Sequence, residues 1–148
     1  MRAVLDTNIA IAGLLWRGKP YELLGHAIEG RLACFASVPL IAELERVLGY
    51  DKLAKRTAAL NTTSAALVAD YLELVELVIV ADIAPAVSAD PDDDALLATA
   101  LAAAADMIVS GDTHLLNLKH YQDIPIITAV EALQRIEREA AQQDPASG

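Results

Sequence analysis

The most chemically suggestive stretch of the sequence is S-A-D-P-D-D-D-A-L, residues 88–96, in which four aspartates surround one proline. Asp90 is a good N-cap, Pro91 suits the first turn of a helix, and acidic side chains there interact favourably with the helix dipole. Capping accounts for one or two of these acids. Four of them within five residues repel one another unless a cation or solvent screens the charge. Two interpretations are open, a charged helix start or one wall of a metal-dependent active site.

A calcium-binding loop is a third interpretation, and the spacing argues against it. An EF-hand loop takes ligands from positions 1, 3 and 5, needs glycine at position 6 and ends with a glutamate at position 12. Counted from Asp90, the sixth residue is Ala95 and the twelfth is Leu101. Both the residue for the sharp turn and the closing carboxylate are missing.

The elements around these acids are predicted from the period of the apolar residues. Short runs such as R-A-V-L-D, L-A-C-F-A, V-I-V, M-I-V-S and P-I-I-T-A predict strands, and the segments between them carry apolar residues at helical spacing. Strands that alternate with helices predict an α/β fold, with a parallel sheet flanked by helices on both faces. The chain of 148 residues suits one domain over residues 1–138, followed by a polar tail over residues 139–148 that we expect to be disordered.

A parallel sheet collects the carboxyl ends of its strands along one edge, where ligands bind in such folds. Asp6 follows the strand R-A-V-L, Asp112 follows M-I-V-S-G, and Glu43 and Glu45 lie within two turns of the helix start at Ser37. With the aspartate-rich stretch, acids from four segments are expected at this edge. Taken singly, Asp6 and Asp112 could be helix or turn caps. Helical geometry does not choose between Glu43 and Glu45.

The aspartates that open the charged helix differ in direction. Asp93 and Asp94 lie on its leucine-bearing side, whereas Asp92 points away and is predicted to be a solvated capping residue. Crowded carboxylates cost stability unless a hard cation neutralises them, and oxygen-only ligands suit Mg²⁺ or Mn²⁺. The converging acids therefore predict a site for one of these ions.

The overall charge restricts how the protein could bind nucleic acid. A net charge of −10 and a pI near 4.5 oppose binding through counterion release. An acidic protein can still act on a polyanion if a divalent cation bridges the two and a local basic group guides the strand. Lys52, Lys55 and Arg56 form one such group, and Arg17 with Lys19 forms a smaller one. An ordinary solvated helix face is the alternative.

The single cysteine and the N-terminus indicate the compartment. Cys34 lies in an apolar run without a partner for an internal disulfide, which predicts a buried thiol in a reducing compartment. The N-terminal stretch reaches Asp6 too early for a secretory segment, and L-L-A-T-A-L-A-A-A-A is too short to span a bilayer. We expect a cytoplasmic protein with no membrane association.

Four short motifs, in order, resemble a known family. They are D-T-N after the first strand, S-V-P-L-I-A-E-L at a helix, D-D-A-L-L-A-T-A-L-A opening another helix, and I-V-S-G-D-T-H-L-L after a late strand. Together they resemble the acidic motifs of the PIN-domain ribonucleases, over residues 2–136. The D-P-D-D-D and S-G-D forms resemble the toxin of bacterial toxin–antitoxin pairs of the VapC type. The resemblance implies a five-stranded parallel sheet, a homodimer, and inhibition by a cognate antitoxin whose tail enters the active-site groove.

The resemblance also implies site residues, position by position. Its acidic quartet falls on Asp6, Glu43, Asp94 and Asp112. This favours Glu43 over Glu45 and Asp94 over Asp93, with Asp93 the candidate if the register shifts by one. The family's polar neighbours fall on Asn8 and Ser110, for which a helix-start hydrogen bond and a strand-end hydroxyl are the alternative roles.

The implied reaction is metal-assisted hydrolysis of RNA. Asp6, Asp94 and Asp112 would hold one or two Mg²⁺ or Mn²⁺ ions, with Glu43 as a direct or water-mediated ligand. Because water attacks and the 2′-hydroxyl does not, the products should carry 5′-phosphate and 3′-hydroxyl ends. No histidine base is required, so His114 is expected to be structural or peripheral.

Two other functions fit parts of the sequence. A phosphoacceptor receiver domain needs an adjacent acidic pair early in the chain and a lysine at a late strand end, whereas only Asp6 is early and Lys119 is misplaced. A binding-only protein of the same fold would hold a partner protein and cleave nothing. A full set of mutually repelling acids argues against the second function, because binding alone gives no reason to retain them.

Overall fold

The computed structural model describes residues 1–80 and 91–143. In these residues the strands are β1 (Arg2–Leu5), β2 (Ala33–Ala36), β3 (Val75–Leu77), β4 (Met107–Val109), β5 (His120–Tyr121) and β6 (Ile124–Ile127). The helices are α1 (Thr7–Leu15), α2 (Lys19–Ile28), α3 (Val38–Leu48), α4 (Asp51–Ala59), α5 (Ser64–Leu74), α6 (Pro91–Ala102), α7 (Thr113–Leu118) and α8 (Ala129–Gln143).

The strands form one sheet in the order β3-β2-β1-β4-β6-β5. All pairings are parallel except that of the two-residue strand β5, which runs antiparallel to β6 at the edge. The predicted α/β fold with five parallel strands is therefore confirmed, with one short edge strand added. β1 lies in the middle, so the carboxyl ends of β2, β1 and β4 are neighbours.

Successive residues of the central strand supply two hydrophobic cores, one on each face of the sheet. Ala3 and Leu5 pack with residues of α1, α2, α5 and α8. Val4 lies on the other face with Leu96 of α6 and Leu115 of α7. This alternation follows from the pleat of a strand buried on both faces. Helices on both faces thus hold the central strands in place.

The packing of α1 on α2 depends on a glycine. A Cβ atom at Gly13 would lie 2.7 Å from the Leu24 side chain and 3.0 Å from the Pro20 carbonyl oxygen. The turn between α1 and α2 is three residues long, and Trp16 and Arg17 are exposed in it.

Some elements differ from the sequence predictions. The strand predicted at V-I-V, residues 78–80, lies at Val75–Leu77, directly after α5. The predicted Ser37 cap occupies the N-cap position of α3, but its hydroxyl bonds to Thr99 of α6 at 2.7 Å and caps no backbone group of α3. The buried Cys34 is as predicted.

The ends of two predictions lie near the limits of the described residues. Helix α8 continues to Gln143, past the predicted domain end at residue 138, and residues 144–148 of the predicted tail lie outside the described residues. The predicted cap Asp90 also lies outside them. Among residues 1–80 and 91–143, no helix is long and apolar enough to cross a membrane.

Candidate active site at the carboxyl edge of the sheet

A buried hydroxyl connects the two aspartates that follow β1 and β4. The backbone N–H of Asp6 donates to the Val109 carbonyl at 2.9 Å, which continues the strand pairing to the edge. The Ser110 Oγ donates to Asp6 Oδ2 at 2.8 Å and accepts from the backbone N–H of Asp112 at 3.0 Å. Ser110 is fully buried. Asp6 and Asp112, far apart in sequence, are thereby held on either side of one oxygen atom.

The two aspartates differ in how they serve the helices that follow. Asp6 occupies the N-cap position of α1, yet in that first turn its carboxylate accepts no capping hydrogen bond. Asp112 caps α7, because its Oδ1 accepts the backbone N–H of His114 at 2.8 Å. The capping interpretation therefore holds for Asp112, while the Asp6 carboxylate is turned towards Ser110.

Glu43 on α3 shares this electrostatic environment. Burial raises the pKa of the Glu43 carboxyl, and the charges of Asp92 and Asp6 raise it further. A hydrogen bond from the Thr7 side chain and the charge of Arg46 lower this pKa. Like charges within range of one another favour the protonated form. Glu43 is thus a partly buried acid close to Asp6, which follows β1, and to Asp92 of α6.

Glu45, the other candidate on α3, lies elsewhere. It is exposed and lines a surface depression of about 410 Å³ with Ser64, Ala65 and Val68 of α5. The two glutamates thus have different surroundings, and it is Glu43 whose pKa is raised by the charge of Asp6.

Asp92 lies in the first turn of α6 with 39% of its side chain exposed, and its predicted role as a solvated cap stays a prediction. Its carboxylate forms an ion pair with Arg46 of α3 at 2.7 Å, and its charge acts on Glu43. The ion pair joins α6 to α3 across the site. Sequence reasoning missed it because helical geometry gives a side chain's direction relative to its own helix and says nothing of the helix packed opposite.

The other predicted site residues are placed as follows. Asp93 and Asp94 are half-buried in the first turn of α6, which packs against α3, β1 and β2. Asn8 is exposed on the first turn of α1. The choice of Asp94 over Asp93 stays a prediction, as do the roles of all the candidate site residues.

The side chains at this edge are of the type that binds a hard cation, but they are not grouped tightly enough to enclose one. In residues 1–80 and 91–143, no three acidic, histidine or cysteine side chains are grouped closely enough to hold a metal ion. The available donors are carboxylate oxygens, which Mg²⁺ and Mn²⁺ prefer. Burial is the main cause of the raised pKa of Glu43, and the negative charges of Asp92 and Asp6 add to it, so a cation here would relieve part of this cost.

Two residues beside the site were not identified from the sequence. Thr7 lies inside the D-T-N motif and bonds to Glu43, and Arg46 follows Glu43 by three residues and pairs with Asp92. The signal for Arg46 was the helical i, i+3 spacing, which puts it on the side of α3 that carries Glu43.

The predicted basic residues lie mostly around the far end of α1. Arg56 of α4 donates to the Leu15 carbonyl at 2.7 Å, and Lys52 and Lys55 are exposed on the same helix. Arg17 follows α1 directly and is also exposed. Asp6 is at the other end of α1, about 15 Å away at 1.5 Å per residue. Arg56 and Arg17 therefore lie away from Asp6.

Comparison with known proteins identifies the family. The sequence matches the profile of the PIN domain over residues 2–114, which is more than half of the chain. The chain belongs to the PIN-domain family. The matched range contains the four acids of the predicted quartet. PIN domains are generally nucleases that need divalent metal ions.

The fold of this PIN domain is also found in a solved structure. A chain in the crystal structure of VapBC2 from Rickettsia felis, bound to a DNA fragment from their promoter, superimposes with a TM-score of 0.59. The match covers 86% of this chain and 98% of that chain, at 14% sequence identity. At this identity the likeness concerns the fold. No curated protein sequence matches the chain.

Proposed function

We propose that this PIN domain is a Mg²⁺- or Mn²⁺-dependent endoribonuclease and the toxin of a toxin–antitoxin pair of the VapC type. The observation that carries the proposal is the pair Asp6 and Asp112, held on either side of the buried Ser110 hydroxyl. The crowding of Glu43 by Asp6 adds a third acid. Capping of α7 accounts for one role of the Asp112 carboxylate, but it does not account for the repulsion between Asp6 and Glu43, which a bound cation would relieve.

The residues that would hold the ion are Asp6, Asp94 and Asp112, with Glu43 as a direct or water-mediated ligand. A bound divalent cation supplies charge neutralisation and a nucleophilic water at neutral pH. Ser110 fixes the orientation of the Asp6 carboxylate, and Thr7 does the same for Glu43. Side chains that orient metal ligands in this way sustain metal affinity.

The RNA products distinguish this reaction from other ribonuclease chemistry. If water attacks the phosphodiester, cleavage leaves a 5′-phosphate and a 3′-hydroxyl. Attack by the 2′-hydroxyl leaves a 2′,3′-cyclic phosphate instead. Analysis of the ends of RNA cleaved in Mn²⁺ therefore tests the chemistry, and cyclic phosphate ends would rule out the proposed mechanism.

The proposed partners follow from the same assignment. The similar fold in the VapBC2 structure supports a cognate antitoxin as the protein partner, which would inhibit the nuclease. A homodimer, acting on RNA in the cytoplasm, completes the proposal. Tight binding of a partner protein by a chain that never cleaves RNA would favour a binding-only protein of the same fold.

The first experiment is calorimetric titration of the metal-stripped protein with Mn²⁺. We expect wild type to bind, and we expect Asp6→Asn, Asp94→Asn and Asp112→Asn each to abolish or greatly weaken binding, because these acids share one ion. The control is Asp70→Asn, an exposed aspartate on α5. Asp92→Asn is not a neutral control, because Asp92 pairs with Arg46 and its charge acts on Glu43.

Two results would contradict the proposal. One is wild-type protein that does not bind Mn²⁺. The other is a control that weakens binding as much as Asp6→Asn, because the acids would then attract ions only diffusely.

A further inference from the structure

A row of basic and aromatic side chains leads away from the candidate active site. It begins at Arg46, whose guanidinium pairs with Asp92 and hydrogen-bonds to the Tyr50 side chain. Tyr50 directly precedes α4, and the Lys52 Nζ lies 5.8 Å from the centre of its ring. This row of side chains thus runs from the rim of the acidic site to the start of α4.

The same row of side chains continues along α4 to the C-terminal end of α1. Lys52 and Arg56 are four residues apart on α4 and so lie on one face of the helix. Arg56 is fixed by its bond to the Leu15 carbonyl, and its Cζ lies 5.6 Å from the centre of the Trp16 ring. Beyond Trp16, the Arg17 Cζ lies 5.4 Å from the centre of the Tyr21 ring.

We name these side chains the aromatic–basic track: Arg46, Tyr50, Lys52, Arg56, Trp16, Arg17 and Tyr21. Its three aromatic residues are unusually exposed, with 45% of Trp16, 46% of Tyr21 and 43% of Tyr50 accessible to solvent. Three of its cations lie within about 6 Å of a ring centre, which is the range of a cation–π contact.

The chemistry of the track matches a single-stranded nucleic acid. Exposed rings offer surfaces on which unpaired bases stack, and adjacent cations bind the phosphates between them. Four cations lie on the track in a chain of net charge −10, with Asp51 and Asp92 as acidic neighbours. Bases paired in a duplex are already stacked and do not present these faces to the protein.

We propose that the aromatic–basic track binds an unpaired segment of the RNA that enters the candidate active site. This inference rests on the proposed function for the identity of the strand, and it adds that the substrate is single-stranded next to the cleavage site. Trp16, Tyr21 and Tyr50 stack on bases, while Arg17, Lys52, Arg56 and Arg46 bind phosphates.

The only tryptophan of the chain, Trp16, lies on the track and reports binding directly. The probe is a short oligouridylate, titrated into wild-type protein in EDTA so that no cleavage occurs. We expect saturable quenching of the Trp16 fluorescence, and weaker binding of an RNA duplex of the same length.

Variants at exposed positions test each part of the track. Tyr21→Leu should weaken binding about tenfold because a stacking surface is lost, whereas Tyr21→Phe keeps the ring and should bind like wild type. Lys52→Gln should reduce the slope of log affinity against log salt by about 0.7, the value for one phosphate contact with a single strand. Arg138→Gln, at an exposed arginine on α8, is the matched control and should leave the slope unchanged.

Several results would overturn the inference. They are an unchanged Trp16 signal on RNA binding, equal affinity for duplex and single strand, or wild-type affinity in both Tyr21→Leu and Lys52→Gln. Variants that weaken binding of the antitoxin but not of RNA would also overturn it, because the surface would then serve a protein partner.

The measurement is made without metal, so its failure is distinct from that of the proposed nuclease. If the track variants cleave RNA as fast as wild type, the aromatic–basic track is refuted and the proposed nuclease is not. If the protein binds oligouridylate but does not bind Mn²⁺, the track is supported as an RNA-binding surface and the proposed nuclease is refuted.

Discussion

The hydroxyl of Ser110 should contribute more to stability than an ordinary buried serine, because it joins two strand ends through a charged group. In Ser110→Ala, the Asp6 carboxylate loses a hydrogen bond of 2.8 Å, and the backbone N–H of Asp112 loses its acceptor at 3.0 Å. A hydrogen bond to a charged group contributes about 1.5–3 kcal/mol, and an N–H without a partner costs about 1 kcal/mol where water can still approach.

The expected loss is therefore about 3 kcal/mol in the free energy of unfolding of the metal-free protein. For a chain of this size it corresponds to a decrease in Tm of about 6–12 °C. Urea unfolding at neutral pH measures the free energy, and thermal unfolding monitored by circular dichroism measures Tm. The same variant should weaken Mn²⁺ binding about 10- to 100-fold, since Ser110 orients a proposed metal ligand.

The matched control is Thr128→Ala, which removes an exposed hydroxyl that accepts the backbone N–H of Glu131 at 3.2 Å at the start of α8. Its cost should be about 1 kcal/mol, with no change in Mn²⁺ binding. A Ser110→Ala variant within about 0.5 kcal/mol of wild type, the range of an ordinary surface substitution, would refute the bridging role. A large loss of stability with unchanged Mn²⁺ affinity would show that Ser110 supports the fold and not the ligand.

Three further predictions concern Glu43, Cys34 and the hydroxyl pair Ser37–Thr99. Burial and the charges of Asp92 and Asp6 raise the pKa of Glu43, so the folded protein holds this proton more tightly than the unfolded chain, and stability is lost as pH rises through the raised pKa. Glu43→Gln should therefore raise the Tm of metal-free protein at neutral pH and leave it unchanged below about pH 4; a lower Tm at neutral pH would contradict this sign. Burial raises the pKa of the Cys34 thiol to about 12, so Ellman's reagent should label Cys34 only after denaturation, and rapid labelling of folded protein would contradict its burial. The Thr99 hydroxyl donates to the Ala95 carbonyl, so it must accept its other hydrogen bond from the buried Ser37 hydroxyl. In urea unfolding, Thr99→Val should lower the free energy of unfolding by about 1–3 kcal/mol and Ser37→Ala by about 1 kcal/mol. The double variant should lose less than the sum of the two. Strict additivity would mean that the two hydroxyls do not interact.

The sequence predicted the order of the main elements and the sheet edge that collects the acids, because both depend on local patterns. Apolar period identifies strands and helices, and parallel strands share one carboxyl edge. The start of β3 was misplaced because V-I-V at residues 78–80 is wholly apolar, whereas the observed strand Val75–Leu77 contains the charged Glu76.

Side-chain contacts between different helices could not be predicted from local sequence patterns. Asp92 with Arg46, and Ser37 with Thr99, each join α3 to α6, and they depend on how two helices pack. Propensity placed Ser37 at a helix start correctly but could not reveal that its hydroxyl has a tertiary partner. The resemblance to PIN domains supplied the choice between Glu43 and Glu45, which helical geometry had left open.

The central position of β1 has a consequence for synthesis of the protein. Ser110, the hydrogen-bond partner of Asp6, is synthesised 104 residues after it. Domains fold as units when enough of the chain has emerged, and β1 cannot pair with its neighbour β4 before Met107–Val109 has left the ribosome. A nascent chain therefore lacks the assembled acidic edge while all the residues between β1 and β4 are being made.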